Sequence, residues 1–183
     1  MTSAHLTFVV CAAPLAERAG DLAAAMVRAG WQVSVAVTPT GAAWVDDHAV
    51  RRATGRSVAV NYRRPDEPRR GPRPAAVVAC PLTFNTLNKL AAGISDTYAL
   101  GVLNEALAAG TAIVAVPMVS DRLWPHPALG PNVDRLTAAG VTFIDPQTGQ
   151  PGARPVRSGT GQKVAEAFDP AWLVPYVGRA SAA

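Results

Sequence analysis

Long apolar runs are missing from this 183-residue chain. No segment approaches the ~20 apolar residues that a helix needs to cross a bilayer, so no membrane span is expected. Cysteine is nearly absent, with only Cys11 and Cys80 present. Two thiols cannot build a disulfide scaffold, and nothing has the spacing of zinc ligands. No metal is therefore expected, and a reducing cytoplasm is. The opening MTSAHLTFVV has neither a basic n-region nor a small-residue cleavage site, so export is not expected either. There is no GxGxxG and no Walker lysine motif, which disfavours a dinucleotide or ATP. No histidine occurs between His48 and His126.

What is there is 49% apolar and 16% charged, a composition that fits one globular domain over residues 1–183. That length buries a real core without staples. The formal charge of +4 is concentrated rather than spread. Arg51, Arg52, Arg56, Arg63, Arg64, Arg69, Arg70 and Arg73 fall between the second and third strands. A grip on an acidic peptide or RNA is one reading. Only Tyr62 supplies an aromatic ring there, so a stacking platform for nucleic acid is absent and a solvated loop is preferred.

The chain alternates short apolar strands with amphipathic segments. Strands are expected at His5–Ala13, Trp31–Thr38, Ala75–Cys80, Thr111–Pro117 and Val141–Pro146. Helices are expected at Leu15–Gly30, within Gly41–Gly55, over TFNTLNKLAAG and SDTYALGVLNEALAAG, and over NVDRLTAAG. Residues 62–74, rich in Pro and Arg, exclude regular helix or central strand and are read as an exposed loop. Residues 147–160 are read as a flexible loop, followed by one short helix and a tail. AAVVAC is continuously apolar, as a parallel strand covered on both faces should be.

This alternation means an α/β domain with a mostly parallel sheet and right-handed crossovers, a three-layer flavodoxin-like sandwich. Its order, 2-1-3-4-5, has a switch point between the first and third strands, where ligands bind past the carboxyl ends. CAAP and PLTFNT would lie there, beside Thr38-Pro39-Thr40. Small Ala12 and Ala13 let backbone N–H groups approach an anion at a helix start, and Pro14 suits a first helical turn. Thr38 and Thr40 add hydroxyls. A mononucleotide such as FMN fits this crevice. The plainer alternative is that Ala12 and Ala13 only permit a tight turn.

PLTFNTLNKLAAGISD resembles the PASANT-type signature of the homo-oligomeric flavin-containing cysteine decarboxylases. PMVSDRLWPHPALGPN is similar to a degraded copy of that family's second signature, P-x-M-N-x-x-M-W, with the following His-Pro and Asn. VAVTPTGAAWV and HAVRRATGRSV resemble the blocks that end and follow the second strand. The resemblance runs from about Thr7 to Pro146. It implies FMN bound between subunits of a homotrimer, often with trimers built into a dodecamer. It implies oxidative decarboxylation of a cysteine, either in phosphopantothenoylcysteine or at the C-terminus of a precursor peptide, which would give an aminoenethiol.

The resemblance also implies roles. Ala12, Ala13 and Thr38 would lie at the phosphate. Thr83, Phe84 and Thr86 would lie by the flavin ring, and Asn85 would hold the substrate carboxylate. Ser120 stands where the second signature has its asparagine. Asp96 would cap its helix or reach the flavin across a subunit contact.

Three departures matter. The family's active-site histidine would fall near Glu67, where none exists. Val119, Ser120 and Leu123 replace signature residues, although Trp124 is kept and is expected at a subunit interface. No cysteine follows Cys80, which favours the peptide enzymes over the coenzyme A pathway enzymes. His126 is either a replacement acid–base group or structural, and the structural role is preferred. Cys11 and Cys80, expected near each other, are read as buried apolar side chains rather than a redox pair. Arg157–Lys163 either closes over substrate or is a linker. The runner-up function is an FMN-binding partner protein that does not decarboxylate.

Overall fold

A computed structural model describes residues 4–67 and 71–180, so Arg69 and Arg70 of the basic cluster lie outside the described residues. Five parallel strands form one sheet: β1 His5–Val10, β2 Gln32–Val37, β3 Ala76–Leu82, β4 Ala112–Pro117 and β5 Val141–Phe143. Their order is β2-β1-β3-β4-β5, with every pairing parallel. All of β1 and β3 is buried, because both faces of these strands are covered.

Among the described residues seven α-helices build the outer layers: α1 Ala19–Arg28, α2 Asp47–Thr54, α3 Phe84–Ala91, α4 Tyr98–Ala108, α5 Leu129–Ala138, α6 Gly161–Ala167 and α7 Val174–Ala180. One face of the sheet packs with α1, α2, α6 and α7, through Leu22, Met26, Val50, Ala165 and Val177. The other packs with α3, α4 and α5, through Leu87, Leu103 and Leu136. Burying each of the leucine, valine and methionine side chains among these contributes roughly 1.5–3 kcal/mol. The first crossovers use one face and the later ones the opposite face. The switch therefore falls between β1 and β3, as the alternation predicted.

Boundaries differ from expectation in instructive ways. The segment after β1 opens as a 3-10 helix, Pro14–Arg18, before α1 begins. The Gly41–Gly55 stretch is two pieces, a 3-10 turn at Gly41–Trp44 and α2. Asp46 separates them, because its carboxylate accepts the His48 and Ala49 amides as an N-cap. β3 continues through Pro81 and Leu82, since Leu82 still pairs with Pro117 and its carbonyl accepts the Met118 amide. The expected tail is ordered: a 3-10 turn at Pro170–Leu173 leads into α7, which buries Leu173 and Val177.

Residues 61–67 and 71–75 carry no helix or strand, and Tyr62 to Glu67 are exposed. Tyr62 nonetheless anchors this stretch. Its hydroxyl donates to the Ser95 and Thr97 carbonyls, and its ring meets Tyr98 edge-on. Residues 147–160 also lack helix, but they are tied down. Gly152 donates to the Phe143 carbonyl, Val156 to that of Val119, and Ser158 to the Asp121 carboxylate. No helix among the described residues is long and apolar enough to cross a membrane.

Candidate functional site

The crevice at the switch point is built by the ends of β1 and β3 and the helices that leave them. Helix α3 starts immediately after β3, with extended Thr83 as N-cap residue and no side chain capping the turn. The amides of Phe84, Asn85 and Thr86 therefore lack intrahelical acceptors. They point out of the positive end of a helix, an arrangement suited to an anion. On the β1 side, extended Ala13 precedes Pro14, and Ala16 donates to the Ala13 carbonyl at 2.8 Å. Two helical starts thus leave from neighbouring strands at the sheet's carboxyl edge.

The predicted residues divide into those facing outward and those turned in. Asn85 is exposed, and no described group hydrogen-bonds its amide. Phe84 is half-buried, with its ring edge-on to His126 at 5.2 Å and 77°. Thr86 is buried, and the partly buried Thr83 hydroxyl donates to its oxygen at 3.3 Å. Both hydroxyls also reach Cys11 at the end of β1. This small network ties β1 to the start of α3, helped by the Cys11 amide donating to the Pro81 carbonyl at 3.1 Å.

Thr38 is buried, and its hydroxyl oxygen accepts the Gly41 amide at 3.1 Å. A Cβ on Gly41 would press on that oxygen and on the Val10 carbonyl, which is why glycine stands there. Thr38 thus secures the turn after β2, while Thr40 is exposed beside it. Ala12 and Pro14 are half-buried and Ala13 is buried. Ser120 is half-buried in the link after β4, where it bridges to Val156.

Asp96 is not the cap of α4. Thr97 is, accepting the Leu100 amide through its hydroxyl at 3.2 Å, because it is the residue with extended backbone at that helix start. Asp96 is exposed and pairs with Lys89.

The cysteines are fully buried but belong to different faces, Cys11 to the α3–α5 side and Cys80 to the α1–α7 side. Alternate side chains of neighbouring strands point to opposite faces, so proximity along the sheet does not make a pair. Burial pushes the Cys11 thiol up, partly countered by hydrogen bonds from Thr86 and Thr83, and pushes the Cys80 thiol well up. Inert thiols are the result.

Two surface depressions of about 360 and 340 Å3 lie elsewhere, one beside β5 and one between α1 and α7. Neither includes any predicted site residue, and neither gathers a convergent polar set. The crevice stands on its chemistry. The groups that face outward, the uncapped amides at the start of α3 and the free Asn85 carboxamide, are suited to an anion.

A flavoprotein family model matches residues 1–161. The chain belongs to the flavoprotein family. Over 71 residues it is 38% identical to the coenzyme A biosynthesis bifunctional protein CoaBC of Thermococcus kodakarensis, covering 39% of this chain and 17% of that one. The matches span only about a sixth of the length of the curated relatives. A PPC decarboxylase mutant complexed with pantothenoylaminoethenethiol superposes with a TM-score of 0.71 over 97% of both chains, at 17% identity. The FMN-dependent cysteine decarboxylase TvaF of thioviridamide biosynthesis superposes with a TM-score of 0.64, over 89% of this chain and 98% of its own, at 25% identity. The flavodoxin-like fold of this flavoprotein is thereby shared with flavin-dependent decarboxylases.

His126, for which a structural role was preferred over an acid–base one, is in ring contact with Phe84. The spacing between Phe84 and His126 hides their contact. The Phe at position 84, large where the PASANT pattern is small, was the available signal.

Proposed function

We propose that this flavoprotein is an FMN-dependent decarboxylase acting on a cysteine carboxylate, with the C-terminal cysteine of a precursor peptide as substrate. The observation that carries the reading is Asn85, an exposed and unengaged carboxamide at the uncapped start of α3, in the switch-point crevice of a flavoprotein. Family membership and the fold shared with TvaF support it.

The chemistry asks for little from the protein beyond position. A cysteine carboxylate holds its CO2 because the carbanion left behind has no stabiliser. FMN, when bound, supplies a two-electron oxidant for the thiol-bearing carbon. Removal of hydride from Cβ and a proton from sulfur turns the thiol into a thioaldehyde. The C–CO2 bond then breaks, its electron pair moves toward sulfur, and protonation leaves an enethiol. The Asn85 N–H orients the carboxylate without an ion pair that would stabilise the ground state. The amides of Phe84, Asn85 and Thr86 offer the positive helix end to an anion. Thr83 and Thr86 hold that helix start against β1. In this reading Ala12, Ala13, Pro14 and Thr38 shape the phosphate end, and Ser120 and Asp96 lie at its margins.

A second reading is phosphopantothenoylcysteine decarboxylation, favoured by the identity shared with CoaBC. The lack of any cysteine after Cys80 weighs against it.

The test is an anaerobic spectral titration of the flavin-loaded protein. A peptide ending in cysteine is expected to bleach the flavin band, and a serine-ended control is not. Asn85→Ala is expected to raise the peptide concentration needed by about 10- to 100-fold, the value of a hydrogen bond to a charged group at ~1.5–3 kcal/mol. Bleaching by phosphopantothenoylcysteine alone would favour the second reading. Bound flavin that no cysteine substrate bleaches would favour a partner protein that does not decarboxylate.

A further inference from the structure

We propose that His126 is a second donor to the substrate carboxylate, presenting its Nε2–H beside Asn85. This rests on the cysteine-carboxylate reading above.

His126 lies in the link that leaves β4 at Pro117 and enters α5 at Leu129, on the same edge of the sheet as the crevice. Its imidazole is exposed and meets the Phe84 ring edge-on, with centroids 5.2 Å apart. Phe84 is the first residue of α3 and directly precedes Asn85. The ring therefore packs on the residue that opens α3, one position before Asn85.

The ring's chemistry follows from one bond. The Ala128 amide donates to Nδ1 at 3.1 Å. A backbone amide can only donate, so Nδ1 must offer a lone pair. The neutral imidazole then carries its proton on Nε2. In that tautomer Nε2 cannot accept a proton, so His126 is a donor and not a general base. A neutral donor suits a carboxylate that must leave as CO2, because it orients the group without a strong ion pair.

The ring is also held still. The His126 amide donates to the Leu123 carbonyl at 3.0 Å, and its carbonyl accepts from Leu129 at 2.9 Å. Asn132 of α5 donates to the Asn88 carboxamide oxygen at 2.7 Å, while the Asn88 amide donates to the Phe84 carbonyl at 2.8 Å. That relay fixes the α5 side of the site to the first turn of α3. Such support is what a positioned donor requires.

The experiment measures binding rather than turnover. Flavin-loaded protein is titrated by calorimetry with two unreactive peptides ending in serine, one with a free carboxylate and one with a terminal amide. The wild-type protein is expected to prefer the acid. His126→Phe keeps the ring against Phe84 and removes the donor, and it should cut that preference about tenfold. His126→Gln restores an N–H at the Nε2 position and should recover most of it. An acid preference unchanged in His126→Phe but lost in Asn85→Ala overturns this proposal and leaves the cysteine-carboxylate reading standing. A wild-type protein with no acid preference overturns both. Equal loss in His126→Phe and His126→Gln, with the melting temperature unchanged, overturns the donor role.

Discussion

His5 shows how one buried side chain couples stability to pH. It opens β1 at the edge opposite the crevice, is 7% exposed, and its Nδ1 has no hydrogen-bond partner. Burial lowers its pKa first, and the positive Arg56 nearby lowers it further. A folded value below the unfolded ~6.5 means the unfolded chain binds the proton first as pH falls. Stability is therefore complete above about pH 6.5 and is lost as pH drops toward the folded value. His5→Leu removes both the titration and the unpaired nitrogen. The fall in melting temperature between pH 7.5 and pH 5.0 should be smaller in the variant. An equal fall would show that other groups carry the acid sensitivity.

At the scale of elements, the basic loop is governed by a contact with a helix. Gly101 of α4 leaves room for the Tyr62 hydroxyl, and an added Cβ would run into it. Gly101→Ala should leave the sheet intact while expelling Tyr62 from its two carbonyl acceptors at 3.2 and 3.1 Å. Alanine favours the helix by roughly 0.5–1 kcal/mol over glycine, which offsets part of the lost anchoring. Faster tryptic cleavage after Arg63, with little change in melting temperature, is the expected outcome. Unchanged cleavage would mean that Tyr62 does not hold the loop. Arg18 plays a comparable part on the opposite layer. Its guanidinium donates to the Ala165 and Phe168 carbonyls at 2.8 and 2.6 Å, securing the end of α6 against the segment that follows β1. Gly161 opens α6 where a Cβ would lie 3.1 Å from Pro14, so the C-terminal arm closes down on the crevice wall.

For the whole molecule, the crevice of one chain is an open edge rather than an enclosed cavity. Asn85 and His126 stand exposed on its rim, and Leu123 is 45% exposed nearby in sequence to His126. A flavin ring held only by this rim would face water, and hydride chemistry needs a sheltered site. Assembly into a homotrimer, or a dodecamer of trimers, would supply the missing wall. Light scattering of the flavin-loaded protein should give three or twelve times the 19.0 kDa chain mass. A single-chain mass with flavin still bound would overturn that expectation.

The strand order was legible because five short apolar runs separated by amphipathic segments admit few right-handed arrangements. PLTFNT could be placed at the carboxyl edge for the same reason, since a motif at a strand end has only one edge to occupy. Side-chain direction was a different matter. Thr83, Asn85 and Thr86 sit within four residues of each other, yet the threonines turn toward Cys11 and only Asn85 faces outward. Helical geometry allows both outcomes, and packing against β1 selects one. Cys11 lies close enough to Cys80 to push its thiol further up, as expected of neighbours, yet the pleat turns the two side chains to opposite faces. The ring contact between Phe84 and His126 joins residues forty-two positions apart, and no local pattern encodes it. Composition, period and motif determined the layers and the edge at which the switch point lies. Which groups converge there was decided by long-range packing, because it depends on how two separate loops meet.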